Sequence, residues 1–532
     1  MNRVLALFIT TFTFVSFAQD ETTKIGTTQK FEEVLTYVNK MYVDDVDDEA
    51  LTDAAIVALL EKLDPHSTFI SKEEVDEANV RINGNFVGIG IRFQILKDTL
   101  MVVSTIAGGP SEKLGLLPGD KIISIEDENV AGIGLKNSQV RDRLLGDKGT
   151  KVKVGVQRKK IKDPIDFVIT RDVIPVNSVD ASYMVTPETG YIKLNSFSRS
   201  SHSEVVRAIT ELKAKGMQNL IFDLQGNGGG LLYAAKYLAD EFLSDDKLIV
   251  YSEGRAQPRS DLKAGRKGAW EKGRLVILTD EYSASASEIL SGSVQDWDRG
   301  LIVGRRTFGK GLVQRPIDLT DGSQIRLTIA RYFTPSGRFI QKPYDDVESY
   351  QSDLVDRFEN GEFMHQDSIE LVDSLKYETL IDKRTVYGGG GIMPDQFVGL
   401  DTTEVTDFYS DLIRKGYLNT FSLEYVDKNR EKILADYPEF AAFKGEFSIG
   451  DQLMNEFFDY VKSEDPEFEI DKKALKTSEK LLKLRMKAKI AQDLWGYAEF
   501  YEIYNETNEI LQRAIEIIES DEYKESGISS IE

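Results

Sequence analysis

The sequence predicts a multidomain α+β protein. Its 532 residues suggest three or four units at about 150 residues each. Apolar residues follow helical spacing in 31–63, fit short strands in 85–172, and alternate between strands and helices in 179–343. After residue 402 the pattern is largely helical. We predict an N-terminal region (19–84), a β-rich module (85–172), an α/β core (173–400, with an insertion at 343–385) and an acidic helical extension (401–532).

Composition narrows the classes of function. Hydrophobic residues make up 41% of the chain and charged residues 29%, as in folded proteins with a substantial core. The net charge of −23 repels phosphate backbones and argues against a nucleic-acid partner. The absence of cysteine excludes disulfides, thiolate metal sites and a cysteine nucleophile. Because there are also only three histidines, we predict no metal ion and no cofactor.

The N-terminus has the features of a signal peptide. Arg3 provides the positive charge, residues 4–17 are almost wholly apolar or Ser/Thr, and small residues at 16 and 18 suit cleavage after Ala18. We therefore predict a cleaved signal peptide, 1–18, and an exported, periplasmic protein. The alternative is an uncleaved anchor that keeps the protein at the membrane.

Elements of the first half can be placed in order. Apolar residues three or four apart predict helices in the N-terminal region, ending where Pro65 interrupts the pattern. In the β-rich module, strands are predicted near 88–93, 100–106, 121–125 and 151–157. One short helix is predicted over 135–145, with Val140 and Leu144 on one face.

The second half predicts a layered core and a helical end. Buried-looking strands at 219–224 and 274–279 are each followed by a small-residue turn and a helix, and a third strand lies at 301–304. Residues 493–518 carry an apolar stripe, which favours a helix packed on its own domain.

Ser285 is the candidate nucleophile. It lies in Tyr282–Ile289, where a buried strand turns into a helix whose first N–H groups are free and electropositive. A serine in this position needs an adjacent base. Serine is also a common N-cap residue without any catalytic role, so this motif alone does not decide between a nucleophile and a helix cap.

Lys310 is the candidate base. It lies between two glycines, which let other backbone approach closely, and Gln314 would point to the same side of an extended segment. A lysine base must be neutral, which requires burial to lower its pKa. One alternative is that Lys310 is only a solvated lysine in a turn, without a catalytic role. Another is that His66 or His202 is the base.

Two glycine-rich segments suit backbone recognition. Residues 223–230 follow a strand and open a helix without the order of a P-loop, so their N–H groups could form an oxyanion hole or only a packing turn. Residues 108–122, with Gly88, Ile89, Gly90 and Ile91, resemble a PDZ domain, which binds an extended peptide tail by strand addition.

Together the motifs resemble the carboxyl-terminal processing peptidases, also called tail-specific proteases. The order matches through Leu63–Ser67, the PDZ module, 223–230, 283–289, 307–314 and 391–395. The resemblance implies a crotonase-like α/β core, with Ser285 as nucleophile, Lys310 as base and Gln314 supporting it. It also implies an oxyanion hole, which we place at Gly229 and Ala286. Gln225 stands where the family usually has arginine, and Gly228 where it often has proline.

The predicted function is endopeptidase cleavage of exported proteins near their C-termini. The PDZ module would capture free, apolar tails through Gly88, Ile89, Gly90, Ile91, Val140 and Leu144. A homo-oligomer or an adaptor is left open. Alternative functions are a catalytically inactive PDZ scaffold and a ligand carrier on a related core.

Overall fold

The computed structural model describes residues 18–244 and 246–528. It contains helical and strand-rich units in one chain, so the predicted α+β class is confirmed. The predicted signal peptide lies outside the described residues except for Ala18. None of the helices described combines the length and the apolar character that a membrane span requires.

The N-terminal region consists of three helices and one short strand. The second helix is capped by Asp47, whose side chain accepts the N–H of Ala50, and it ends before Pro65, whose ring cannot continue a helix. The prediction that the helices of this region end there is wrong, because a third helix follows Pro65. The strand was not predicted, since three residues are too few to show a period; it pairs with residues 324–326 of the core. The elements are α1 (Ala18–Met41), α2 (Asp48–Glu61), β1 (Thr68–Ile70) and α3 (Lys72–Asn83).

The PDZ module is a small β-structure around its own apolar cluster. Its elements are β2 (Asn85–Gly88), β3 (Ile91–Leu96), β4 (Thr99–Thr105), α4 (Pro110–Leu114), β5 (Lys121–Ile125), β6 (Glu128–Asn129), α5 (Asn137–Leu144), β7 (Lys151–Gln157), β8 (Ile165–Thr170) and β9 (Asp172–Pro175). The sheet order is β3-β4-β5-β7-β8, with β6 on β5. Strand β3 therefore lies at one end of the sheet. Strands β2 and β9 pair separately and close the module.

The core alternates strands and helices, as the sequence predicts. Its elements are β10 (Val179–Met184), β11 (Thr189–Leu194), α6 (Ser201–Ala214), β12 (Asn219–Asp223), α7 (Leu232–Asp240), β13 (Leu248–Gly254), β14 (Gln257–Lys263), β15 (Arg274–Thr279), α8 (Ala286–Asp296), β16 (Leu301–Gly304), β17 (Leu312–Asp318), β18 (Gln324–Phe333), α9 (Val347–Glu359), β19 (Lys376–Glu378), β20 (Thr385–Tyr387) and β21 (Gln396–Phe397). The predicted insertion contains α9 and β19, and its last residue is the first residue of β20.

Two sheets bring the core segments together. The larger has the order β10-β11-β12-β15-β16-β21, and the pairs from β11 to β21 are parallel. The second is antiparallel and joins β1, β18, β13 and β14, with β17 also on β18. Because neighbouring parallel strands end at the same sheet edge, the loops after β12, β15 and β16 lie side by side.

The helical extension has its own apolar cluster but ends on the core. Its elements are α10 (Asp407–Arg414), α11 (Tyr417–Asp436), α12 (Phe440–Glu446), α13 (Asp451–Glu464), α14 (Lys472–Leu494), α15 (Tyr497–Tyr504), α16 (Glu509–Glu519) and α17 (Glu522–Glu525). The stripe at 493–518 was predicted to be one helix packed on its own domain, which is wrong. The helix is interrupted at Gly496 and again after Tyr504. The last helix of the stripe, α16, packs Leu511 and Ile517 against Val276 of the core sheet.

The parallel sheet is thus buried on both faces, which explains its continuous apolar strands. Ile192, Phe222 and Ile277 face the cluster formed with α6, α7 and α8. Ile221, Leu278 and Val303 share the opposite cluster with α16. The amphipathic period of α16 shows that one of its faces is covered, but it does not identify the core sheet, far earlier in the chain, as its partner.

The extension also contacts the PDZ module. Arg92 on β3 pairs with Asp493 at 3.1 Å, and Lys97 pairs with Glu424 at 3.0 Å. Met101 and Val103 of the module also pack on Leu423 of the extension. The extension therefore connects the PDZ module to the core.

Candidate active site

Ser285 occupies the turn from β15 into α8. Its backbone has φ 55° and ψ −110°, a conformation that non-glycine residues rarely adopt and that the surroundings must hold. Its N–H donates to Glu288 Oε2 at 2.7 Å, one turn into α8. The side chain consequently stands at the electropositive start of a buried helix, where a nucleophile can react.

The glycine run lies directly against this turn. The carbonyl of Asn227 accepts the N–H of Ala284 at 3.0 Å and the hydroxyl of Ser287 at 2.8 Å. Gly229 has φ +100°, and a Cβ there would lie 2.7 Å from Ala284 O and 2.9 Å from Ser285 Cβ. Glycine is therefore required at 229 both for conformation and for space.

Both predicted oxyanion donors are adjacent to Ser285, but only one of the two N–H groups is free of an acceptor within its own segment. Ala286 is the first residue of α8, so its N–H has no intrahelical acceptor. The N–H of Gly229 donates to Asn227 Oδ1 at 2.9 Å, so that side chain must move before the donor can serve a substrate. The two-donor oxyanion hole stays a prediction.

Lys193 on β11 supports the loop that carries Gln225 in place of the family's arginine. Its buried ammonium lies 3.2 Å from Asp223 Oδ1 and hydrogen bonds to the carbonyl of Gln225. Gln225 Nε2 also donates to Asp223 Oδ2 at 3.2 Å. The start of the glycine run is thus anchored without an arginine.

Lys310 follows β16 and precedes β17. Its Nζ donates to Gln314 Oε1 at 2.8 Å, although β17 has an irregularity between Val313 and Gln314. Burial lowers the pKa of Lys310 below its ordinary value, while the carboxylates of Glu288 and Asp64 oppose that shift. A lowered pKa makes the neutral amine, the form required of a base, more accessible.

Glu288 joins the two predicted catalytic segments. Its side chain is fully buried, and Oε2 accepts the N–H groups of Ser285 at 2.7 Å and Lys310 at 2.9 Å. Oε1 accepts from Gly309 N at 2.7 Å and Thr307 Oγ1 at 2.6 Å. Burial raises the pKa of Glu288 to about 7, and the four donors limit that rise. One carboxylate therefore holds both loops.

Tyr332 on β18 makes a second link. Its hydroxyl is within hydrogen-bonding distance of the backbone carbonyls of Ser285, at 3.1 Å, and of Lys310. The side chain is buried with only 1% of its surface exposed. Among the described residues, no hydrogen bond joins Ser285 Oγ to Lys310 Nζ, so the structure brings the two segments together without a direct side-chain bond.

The two alternative bases, His66 and His202, have other side-chain partners. His202 lies on α6, and its Nε2 pairs with Glu241 Oε1 at 2.7 Å. His66 Nε2 lies 2.6 Å from the Tyr350 hydroxyl, and burial, assisted by Lys310, lowers the pKa of His66 to about 4. Within the described chain neither histidine hydrogen bonds to Ser285.

The predicted peptide-binding residues surround the start of β3. Gly88, Ile89 and Gly90 are buried, and the carbonyl of Ile89 accepts the N–H of Ser111 at 3.1 Å. Val140 and Leu144 face the apolar cluster of the module, where they are 0% and 4% exposed, with Ile91 packed beside them. Their place in an open pocket stays a prediction.

Family comparisons match three segments. The model for peptidase family S41 matches 188–349, a PDZ domain model matches 87–169, and a family of unknown function matches 408–496. The chain is similar to the carboxy-terminal-processing protease of Bartonella bacilliformis, with 35% identity over 59% of this chain and 72% of that protein. It is 33% identical to the carboxy-terminal processing protease CtpA of Bacillus subtilis over 64% of this chain and 72% of that one. This chain is a carboxy-terminal processing protease of peptidase family S41.

As a carboxy-terminal processing protease, the chain is a serine-type peptidase with a PDZ domain, which sets aside the scaffold and carrier alternatives. Among solved structures, it matches the photosystem II D1 C-terminal processing protease with 30% identity over 58% of this chain and 82% of that one, with a TM-score of 0.33.

Sequence reasoning missed three supporting residues of this protease: Asn227, Glu288 and Tyr332. Glu288 could have been found, because a glutamate three residues after a helix-capping serine is a capping-box signal. Asn227 lies in the motif already singled out. Tyr332 carries no local signal, since its partners lie 47 and 22 positions away.

We expect the peptidase rate to rise with pH. As the predicted base, Lys310 must be neutral, and its lowered pKa lets the neutral fraction grow as pH increases. Glu288 must be ionised to accept four hydrogen bonds, and its pKa of about 7 removes that form as pH falls. Steady-state rates across about pH 6 to 9 should therefore increase, with or without a chelator. A flat profile, or loss of activity in EDTA that zinc restores, would contradict this.

Proposed function

We propose that Ser285 and Lys310 form the catalytic pair of an endopeptidase that cleaves exported proteins near their C-termini. The observation that carries this proposal is the buried Glu288 carboxylate, which accepts the backbone N–H groups of both residues. Membership of the carboxy-terminal processing proteases supports the substrate class. Export to the periplasm, through the predicted signal peptide, belongs to the same proposal.

The chemistry follows from the positions of these groups. Ser285 Oγ attacks the scissile carbonyl carbon while neutral Lys310 Nζ accepts its proton. Ala286 N–H, and Gly229 N–H once released by Asn227, stabilise the developing oxyanion. The C–N bond breaks as Lys310 returns the proton to the leaving amine. Water, deprotonated by Lys310, then hydrolyses the acyl-enzyme and regenerates Ser285. No step requires a metal or cofactor.

Tail capture is assigned to strand β3 of the PDZ module. Within the described part of the chain, strand β3 pairs only with β4, so its other edge can accept a peptide strand. Gly90, with φ +76°, turns the chain just before β3, where a carboxylate would meet backbone N–H groups. Apolar neighbours such as Val140 favour small or hydrophobic terminal residues. The module has more Lys and Arg than Asp and Glu, so the net charge of −23 resides elsewhere and does not select against acidic tails.

Three matched peptides test this proposal. They share one sequence and end in Ala-Ala, Asp-Asp, or amidated Ala-Ala; affinity is measured with Ser285→Ala and cleavage with the unmodified protease. We expect Ala-Ala with a free carboxylate to bind at least about tenfold more tightly than either control, because the others lose apolar contact or carboxylate contacts. Equal affinity and equal cleavage of all three would refute tail recognition. If the three peptides bind equally but are cleaved at different rates, the peptidase core and not the PDZ module selects the terminal residues.

A further inference from the structure

The turn at Asp64–Ser67 is organised around one carboxylate. Asp64 Oδ1 accepts the N–H groups of His66 and Ser67, both at 2.8 Å, and Oδ2 accepts the Ser67 hydroxyl at 2.8 Å. Asp64 and Ser67 are 9% and 4% exposed. Pro65 between them restricts the backbone further. The turn therefore has one well-defined shape.

The core holds this turn from its other side. On β18, Thr328 donates its N–H to Ser67 Oγ at 3.1 Å and its hydroxyl to Asp64 Oδ1 at 3.1 Å. The His66 ring packs edge-on against Tyr350. The carbonyl of His66 is thereby fixed beside β17, the strand that carries Gln314.

That carbonyl determines which way the Gln314 amide faces. A backbone carbonyl can only accept a hydrogen bond, so Gln314 must present Nε2 to His66 O. Its oxygen then faces Lys310 Nζ, at 2.8 Å. If the amide turned over, its nitrogen would oppose the ammonium donors of Lys310, and its oxygen would oppose the His66 carbonyl.

We propose that the Asp64–Ser67 turn is a positioning device for the catalytic lysine and that it acts through Gln314. This inference rests on the proposed role of Lys310 as base. The Gln314 oxygen takes one N–H of the amine, which limits rotation about the end of the side chain. The lone pair of the neutral amine is then left for the proton of Ser285. Asp64 and Ser67 are positioning residues, since neither contacts the reacting atoms.

A double-mutant cycle in kcat tests the proposal, using Asp64→Ala, Gln314→Ala and the double variant, each at its pH of maximal rate. Each single change should lower kcat by about 10- to 100-fold with KM little changed, because misplacing the base affects the chemical step. The charge of Asp64 also raises the pKa of Lys310, and measuring each variant at its own pH of maximal rate removes that effect from the comparison. In the double variant the losses should then not multiply, because Asp64 positions the lysine through Gln314. Asp64→Asn should largely restore kcat, since its oxygen can still accept both N–H groups.

Controls separate this role from general stability. Asp471→Ala removes a carboxylate that likewise accepts two backbone N–H groups, at the start of α14, and should leave kcat unchanged. If Asp64→Ala does not fold, Ser67→Ala replaces it in the same cycle. Multiplying losses, or no loss in the single variants, would overturn the positioning role while Lys310→Ala remains inactive. An active Lys310→Ala would overturn the assignment of the base and this proposal together.

Discussion

Replacing Ser285 or Lys310 by alanine should abolish peptide-bond hydrolysis without unfolding the protein. Members of a catalytic unit act together, so either loss should lower kcat by about 10⁴-fold or more. Lys310→Arg should be equally inactive, because a guanidinium cannot lose its proton near neutral pH. Incubation with an unstructured polypeptide, followed by separation of the fragments, measures the effect, and thermal unfolding checks the fold.

Two matched variants accompany this test. Ser293→Ala alters a buried hydroxyl later in α8, which donates to Leu290 O at 2.9 Å. Lys236→Ala removes a lysine that pairs with Asp240 at 2.9 Å. Both should retain most of the activity, since neither approaches Ser285. An active Lys310→Arg variant would disprove the Ser/Lys assignment and return attention to His66 and His202.

The Glu288→Gln substitution should produce the second largest loss. The carboxylate accepts four hydrogen bonds, whereas an amide offers a single oxygen and turns its NH₂ group towards donors. Each buried donor left without an acceptor costs about 1–3 kcal/mol. Because Ser285 and Lys310 would no longer share one anchor, we expect kcat to fall by about 100-fold or more.

Glu241→Gln provides the comparison for Glu288. Glu241 is also a buried carboxylate of the core, and it accepts from Ala269 N at 2.6 Å and pairs with His202. Its substitution should lower the free energy of unfolding but leave kcat close to that of the unmodified protease. If both glutamine variants lose stability and activity in parallel, Glu288 has only a structural role. Affinity for a C-terminal peptide should be unchanged in both.

Local patterns predicted much of the architecture. The rhythm of strand, small-residue turn and helix indicated β12–α7 and β15–α8. The break at Pro65 indicated the end of α2, but helix α3 follows it and was missed. These features depend on residues a few positions apart, which a sequence displays directly. Strand β1 and the split of the 493–518 stripe were missed, because the first is too short and the second depends on where α16 packs.

The sequence by itself determined the α+β class and the candidate Ser285, Lys310 and Gln314, each contained in a short motif. Only the tertiary structure decided that Glu288 and Tyr332 join the two predicted catalytic loops, that the Asp64–Ser67 turn orients Gln314, and that α16 covers the core sheet. The physical reason is separation along the chain. His66 and Gln314 lie 248 positions apart, and their hydrogen bond exists only because β1 pairs with β18, a contact no local periodicity encodes.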